Sequence, residues 1–326
     1  MQRDALLRVA ILTLSLTAAA PVARAAPYAA GNRYFPPTPT TEDPFVADEV
    51  AIGGDYLRHG AVGGDPANHE FDATYEIARR LTDDLGVAFE HGYSIVSPRG
   101  APNNYGFVNP ELTLKYQLYE SAVHEFLFSF GVQREFGGVG ASRIGAEPVG
   151  HTAPTVYFAK GFGDLPRSLR YLSPLGVTGT LGYQIFDQRA HTTLTRDPQT
   201  GSVSLDHDYF PDTLELGLSV QYSLRYLEGN VEYLGLPSWL SRLTPLVELS
   251  ATTPMSRSYG NTTTAIVAPG VVYSGDRFYL GAEALIPTTR SAGQGVGAIL
   301  TLTLRLDELA PSVFGAPLFG GAGDGR

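Results

Sequence analysis

From about residue 48 to residue 306 the chain alternates apolar and polar residues at the spacing of a β-strand. Leu214, Leu216, Leu218, Val220, Tyr222 and Leu224 interleave with Glu215, Gly217, Ser219, Gln221, Ser223 and Arg225. Successive strand side chains point to opposite faces, so such a stretch has one apolar face and one polar face. The runs are also long. A strand of a soluble protein averages about six residues, whereas one that crosses a bilayer needs roughly ten. Residues 69–80 set Phe71, Ala73, Tyr75 and Ile77 against Glu70, Asp72, Thr74 and Glu76. Residues 106–119 set Leu112, Leu114, Tyr116 and Leu118 against Glu111, Thr113, Lys115 and Gln117. About twelve candidates follow one another, an even number as bacterial single-chain barrels require. They lie near 47–57, 69–80, 86–97, 106–119, 124–136, 153–163, 174–187, 212–226, 243–253, 263–274, 277–287 and 295–306.

The connections alternate too. Tight turns at 82–84, 120–123 and 275–276 are separated by longer polar stretches at 58–68, 98–105, 137–152, 188–211 and 254–262. Short periplasmic turns and longer outer loops mark a bacterial outer-membrane barrel. Alternation alone does not say which face is enclosed, because a soluble barrel or sandwich hides its apolar face inside. Strand length, strand number and a heavily charged polar face favour the arrangement with lipid outside and water inside. The predicted fold is therefore all-β: one transmembrane antiparallel β-barrel spanning residues 46–306.

On that reading the lumen receives Glu70, Asp72, Glu76, Glu90, Glu111 and Glu135. Glu215, Glu248 and Glu283 join them from later strands, and Lys115, Arg225 and Arg305 balance the charge only in part. A wall of one sign focuses potential and selects ions by charge, which would give a pore that disfavours anions. The other reading is an interior whose charges pair with one another or with a plug.

The sequence repeats one motif, L-P-x-x-L-x-x-L-[S/T]-P-L, at 165–175 and 236–246. Its prolines bracket a short helix, and its leucines fall on one helical face. This predicts two short amphipathic helices on the periplasmic interface, anchored by Leu165, Leu169 and Leu172 and by Leu236, Trp239, Leu240 and Leu243. Packed turns at the barrel base are the alternative.

Residues 1–25 read as an export signal, with Arg3 and Arg8 before an apolar run at 9–20 and Ala23-Arg24-Ala25 as the cleavage site. The run is too short for a helical span. Sec export to the outer membrane of a Gram-negative bacterium follows. Residues 26–45, rich in Pro and Thr, predict a loose lead-in, and 307–326 a periplasmic or lumen tail. Net charge is −10; the leader holds three arginines against one aspartate, so the remainder carries −12. An acidic chain of this kind is no partner for nucleic acid. With no cysteine, disulfides and thiolate chemistry are excluded.

Candidate enzyme chemistry is thin. His91 shares the lipid-facing parity of Phe89 and Tyr93, but no serine occupies the matching face of a neighbouring strand, so a hydrolase lacks its nucleophile. Asp206-His207-Asp208 reads as a solvated acidic loop, and Gly293-Gln294-Gly295-Val296-Gly297 as a turn leading into a strand. No catalytic residue, cofactor or metal is expected.

Residues 243–248, 268–273, 281–287 and 306–315 resemble a family of bacterial outer-membrane proteins associated with meta-pathway phenol-degradation gene clusters. The resemblance covers about the last eighty residues and implies passage of small, aromatic or hydrophobic compounds. The expected function is thus passive diffusion of a small-molecule solute. The expected partners are the lipid bilayer, lipopolysaccharide and the outer-membrane assembly machinery. A non-conducting structural or binding barrel is the alternative, and an outer-membrane hydrolase the weaker one.

Overall fold

The computed structural model describes residues 28–61, 66–196, 202–255 and 262–319. The expected export signal lies outside them. The wall begins with β1 (Glu49–His59), β2 (Asn68–Arg80), β3 (Leu85–Pro98), β4 (Glu111–Ser121), β5 (Phe126–Glu135) and β6 (His151–Gly161). It continues with β7 (Leu175–Phe186), β8 (Thr213–Tyr222), β9 (Leu243–Pro254), β10 (Thr264–Ser274), β11 (Phe278–Pro287) and β12 (Gly297–Arg305). Each strand pairs antiparallel with its neighbour, and β12 pairs back onto β1, with Ala298 opposite Tyr56 and Arg305 opposite Glu49. The result is a closed twelve-strand barrel. Closure removes the sheet edges, which a bilayer would leave without hydrogen-bond partners.

The faces fall as the alternation predicts. Leu216, Val220 and Val247 are exposed on the outside, whereas Ser219, Gln221 and Glu248 are fully buried inside. Phe71, Tyr75 and Ile77 of β2 and Leu112, Leu114 and Tyr116 of β4 extend the outer apolar belt.

Three elements depart from the expectation. The strand expected at 106–119 is two pieces. Asn104–Phe107 pairs with the upper part of β3, and β4 takes over the lower part only from Glu111. Pro110 sits at the break; it has no N–H to give a ladder and restricts Asn109 before it. The strand expected to reach 226 stops at Tyr222. The Ser223 hydroxyl accepts a hydrogen bond from the Tyr226 backbone N–H at 3.1 Å and caps a one-turn helix, Leu224–Tyr226. The long connection at 188–211 carries a hairpin, Ala190–Arg196 with Val203–Tyr209.

The lead-in is not loose over its described part, residues 28–45. It enters the barrel and fills the end that carries the tight turns. Tyr28, Ala30 and Phe35, with Phe45 and Ala47, pack on Leu127, Leu246, Val272 and Tyr279 of the wall. Between these two apolar anchors runs Pro37-Thr38-Pro39-Thr40-Thr41-Glu42-Asp43. Prolines carry no backbone donor, so this stretch crosses the lumen without needing a strand partner. A barrel of about eight strands is filled by its own side chains, and a larger one needs other filling. Inner-wall glycines make the room. A Cβ on Gly86 would lie 2.7 Å from Val46 Cγ1, and one on Gly281 would lie 2.7 Å from Pro39 Cγ.

The tail turns under the same end. After helices Leu306–Leu309 and Pro311–Phe314, Arg79 Nη2 donates to the carbonyls of Val313 (3.1 Å) and Ala316 (2.9 Å). The described part of the tail thus sits at the barrel base and does not rise into the lumen.

Candidate functional site

Register brings the acidic residues into a row. Asp55 lies opposite Asp72, and Glu76 opposite Glu90. Glu90 faces Glu111, Glu111 faces Glu135, and Glu135 faces His151. The row from Glu76 to His151 therefore crosses β2, β3, β4, β5 and β6 without a gap. It climbs from the lower wall to the rim that carries the long connections. Like charges placed directly opposite destabilise a sheet unless water or counter-ions reach them. Here they border open space.

Two cavities flank the tip of the N-terminal segment, and a third lies apart from it. One of ≈ 250 Å³ lies between residues 37–43 and the Glu76, Glu90 and Glu111 side of the wall. One of ≈ 190 Å³ lies on the opposite side, against Gln133, Tyr157 and Glu215. Both touch Thr40, Glu42 and Gln133. The third, ≈ 360 Å³, sits above, with Asp55, Leu57, Glu70 and Asp72 on one wall and Ser250, Thr252, Ala265 and Ile266 on another. This upper chamber is acidic on one side, hydroxyl-lined on the other, with Leu57 and Ile266 as its apolar patches.

Polar contacts hold the segment at mid-lumen. Glu248 accepts from Thr38 Oγ1 (2.7 Å), Thr40 N–H (2.8 Å) and Thr40 Oγ1 (2.6 Å). Glu283 lies 3.2 Å from the same Thr40 hydroxyl. Lys115 Nζ pairs with Glu42 at 2.6 Å, donates to the Asp43 carbonyl at 2.7 Å and sits 4.6 Å from the centre of the Tyr157 ring. Below, Asp48 pairs with Arg79 (2.8 Å) and Arg80 (2.6 Å). Arg33, fully buried, donates to the Pro174 carbonyl at 2.5 Å.

The lumen residues expected from the sequence divide by this segment. Glu70, Asp72, Glu76, Glu90, Glu111 and Glu215 border the cavities. Lys115, Glu248 and Glu283 instead hold the N-terminal segment and are withdrawn from the open lumen. Arg305 lies at the base and pairs with Asp307 (3.2 Å) and Glu308 (3.0 Å) of the tail. Arg225 is not a lumen residue, because the Ser223 cap moves it off the wall into an exposed helical turn. Glu42, Asp55, Thr38 and Thr40 also belong to the site, and the sequence pattern does not mark them. Asp55 carried the right parity, but the Gly53-Gly54 pair broke the alternation around it.

The two L-P-x-x-L motifs form shorter elements than expected, a 3-10 helix Arg167–Leu172 and a single α-turn Ser238–Ser241. Leu169, Leu172 and Trp239 are exposed, and Leu165, Leu236, Leu240 and Leu243 are half-buried. The Tyr171 hydroxyl donates to Glu232, and Arg170 lies 3.6 Å from the same carboxylate, so the two connections are tied together. His91 faces outward and stacks on Phe107, with ring centres 5.2 Å apart. Asp206, His207 and Asp208 fall within the hairpin strand, where His207 Nδ1 and Thr192 Oγ1 are 2.8 Å apart. Gly293 and Gly295 have φ of +141° and +84°, and the Gln294 N–H donates to the Arg58 carbonyl at 2.7 Å, as a turn requires.

No family model matches the chain, and no curated protein matches it. Solved structures do. An outer-membrane channel from Pseudomonas putida F1 is 13% identical, with a TM-score of 0.50 over 79% of this chain and 95% of that one. The monoaromatic hydrocarbon channel TodX, as a mutant, is 10% identical, with a TM-score of 0.45 over 79% and 90%. The NanC porin is 9% identical, with a TM-score of 0.44 over 78% and 98%. At these identities the likeness is one of fold: that of outer-membrane β-barrels.

Proposed function

We propose that the protein is an outer-membrane channel for small solutes, closed at its periplasmic half by its own N-terminal segment. The upper chamber carries this reading. It lies toward the end with the long connections and is lined by Asp55, Glu70 and Asp72, while residues 37–43 border the separate cavity along Glu76, Glu90 and Glu111. A solute suited to that chamber has an apolar body for Leu57 and Ile266 and hydrogen-bond donors or positive charge for Asp55, Glu70 and Asp72. An aromatic compound bearing such groups fits, in keeping with the family resemblance of the C-terminal strands. Anions are disfavoured by the wall. Leu169, Leu172 and Trp239 rest at the inner lipid interface in this reading. The outer rim meets lipopolysaccharide, and assembly requires the outer-membrane insertion machinery.

Passage requires the N-terminal segment to move. Unpacking Tyr28, Phe35 and Phe45 from the base costs about 1.5–3 kcal/mol for each side chain, so the open state is rare. The same packing supports a second reading, a barrel that never conducts. Planar-bilayer recording separates them. The channel gives infrequent current steps with cation preference, and Glu76→Gln/Glu90→Gln/Glu111→Gln shifts the reversal potential toward zero preference. Silence at high protein load supports the non-conducting barrel, and an unchanged reversal potential removes the acidic row from the filter.

A further inference from the structure

The acidic row ends at a cluster that channel function does not use. We propose that Glu135, Glu147 and His151 bind one divalent transition-metal cation, zinc being the best match, at the outer mouth of the lumen. The candidate ligand atoms of all three lie within 4.8 Å of one another. Glu135 ends β5, His151 begins β6, and the two are directly opposed across the ladder. Glu147 comes from the connection between those strands, which folds back so that Gly138 N–H donates to the Glu147 carbonyl at 2.9 Å. Asn109 fixes both carboxylate bearers. Its Nδ2 donates to Glu135 Oε1 and to the Glu147 carbonyl, each at 2.9 Å, and its Oδ1 accepts from Gly140 N–H at 2.8 Å.

Acidic residues alone would not make a site. The second observation is His151, which is 5% exposed and whose Nδ1 has no hydrogen-bond partner. That nitrogen lies 3.9 Å from Glu135 Oε1, too far for a hydrogen bond. A buried ring nitrogen left without a partner is costly, and a cation would supply one. The other ring nitrogen, Nε2, lies 3.1 Å from the Gln184 side-chain amide. The amide nitrogen there can only donate, so Nε2 now accepts; a metal-ligating histidine instead donates from its second nitrogen, which fixes the ring. Zinc on Nδ1 places the ring proton on Nε2, so Gln184 must turn its amide oxygen toward the ring and give up its present bonds, Nε2 to Glu215 (2.9 Å) and Oε1 from Thr213 (2.5 Å). Among the described residues, no lysine or arginine lies within ion-pair distance of Glu135 or Glu147. Burial, and then the Glu135 charge, push the Glu147 carboxyl up to about 7, as expected of neighbouring carboxylates without a counter-ion.

The donor set selects the metal class. One imidazole and two carboxylates, with water in the fourth position, suit zinc at about 2.0–2.2 Å per bond. Calcium takes about six to eight oxygen ligands, and a histidine disfavours it. Ligands around one zinc lie about 3.3 Å apart, so closing the present cluster needs only side-chain rotation. The bound ion would pin the connection at 136–150 across β5 and β6 and neutralise the top of the acidic row.

The test uses the folded, full-length barrel in detergent, with folding checked by its heat-dependent mobility on gels. Zinc is titrated calorimetrically, and cobalt by its visible absorption. One equivalent should bind, and the cobalt form should show ligand-field bands. Glu147→Gln and His151→Asn should each weaken zinc about a hundredfold, and Gln184→Ala about tenfold through the ring it holds. His59→Asn, at the separate His59–Glu70 pair, should leave binding unchanged. Should His151→Asn not fold, Glu147→Gln on the connection decides the matter. Absence of stoichiometric zinc binding, unchanged affinity in Glu147→Gln, or loss of binding in His59→Asn would each overturn the proposal.

Discussion

Lys115 shows how far a residue's role can be read from its neighbours in sequence. Its parity on β4 was enough to place it inside, because alternation fixes the face. Its partner was not readable. Glu42 lies 73 positions earlier in a Pro- and Thr-rich stretch with no periodicity, and only the closed fold brings the pair to 2.6 Å. The same holds for Glu248, whose partners Thr38 and Thr40 are separated from it by more than 200 positions. Both were expected to face solute and instead hold the N-terminal segment. Replacing Lys115 with Met removes the clamp and leaves Glu42 a hydrogen bond from Gln133, at 3.0 Å. The loss should be about 1 kcal/mol, because the Glu42 carboxylate left behind is only half-buried. Thermal unfolding of the barrel in detergent should shift down, and current steps should become more frequent. An unchanged midpoint with unchanged currents would show that the pair contributes nothing.

At the level of elements, the twelve strands were legible because each is long enough for its alternation to show. Errors came where local chemistry stops a strand. Pro110 splits one, and the Ser223 cap ends another and carries Arg225 away from the lumen. The N-terminal segment was misjudged for a different reason. Its apolar anchors, Tyr28, Phe35 and Phe45, are spaced irregularly, and Pro-rich composition reads as loose unless the cavity that receives it is known. The wall records that cavity in its glycines. Gly281→Leu should therefore expel the segment near Pro39 while leaving the β10–β11–β12 pairing intact, since a leucine suits a strand better than glycine. Limited proteolysis should then cut within residues 36–44 in the variant and spare the parent barrel. Protection in both would mean that the wall and the segment are not sterically coupled there.

For the whole molecule, closure by β12 on β1 makes the outside apolar and the inside polar, and both follow from one pattern of side chains. The outer surface needs no further explanation, because its leucine and aromatic rows meet lipid. The inside is unequal. Its lower half is a packed base of aromatic side chains and ion pairs, and its upper half is an acidic, partly apolar chamber. In the channel proposed above, such a division would admit solute from outside and release it only when the base rearranges. The sequence pattern showed the barrel but not this division, because the filling comes from residues that precede the first strand.

The absence of cysteine permits one direct test of that account. A Cβ placed on Gly217 lies 3.2 Å from Thr41 Cγ2, within reach of a disulfide once the Thr180 hydroxyl, 2.5 Å away, turns aside. In the Thr41→Cys/Gly217→Cys variant, oxidation would fasten the segment to β8, and reduction would release it. Single-channel recording on one reconstituted preparation should show current steps abolished when oxidised and restored by a thiol reductant. Equal currents in both states would contradict the claim that solutes pass only when residues 37–43 move aside.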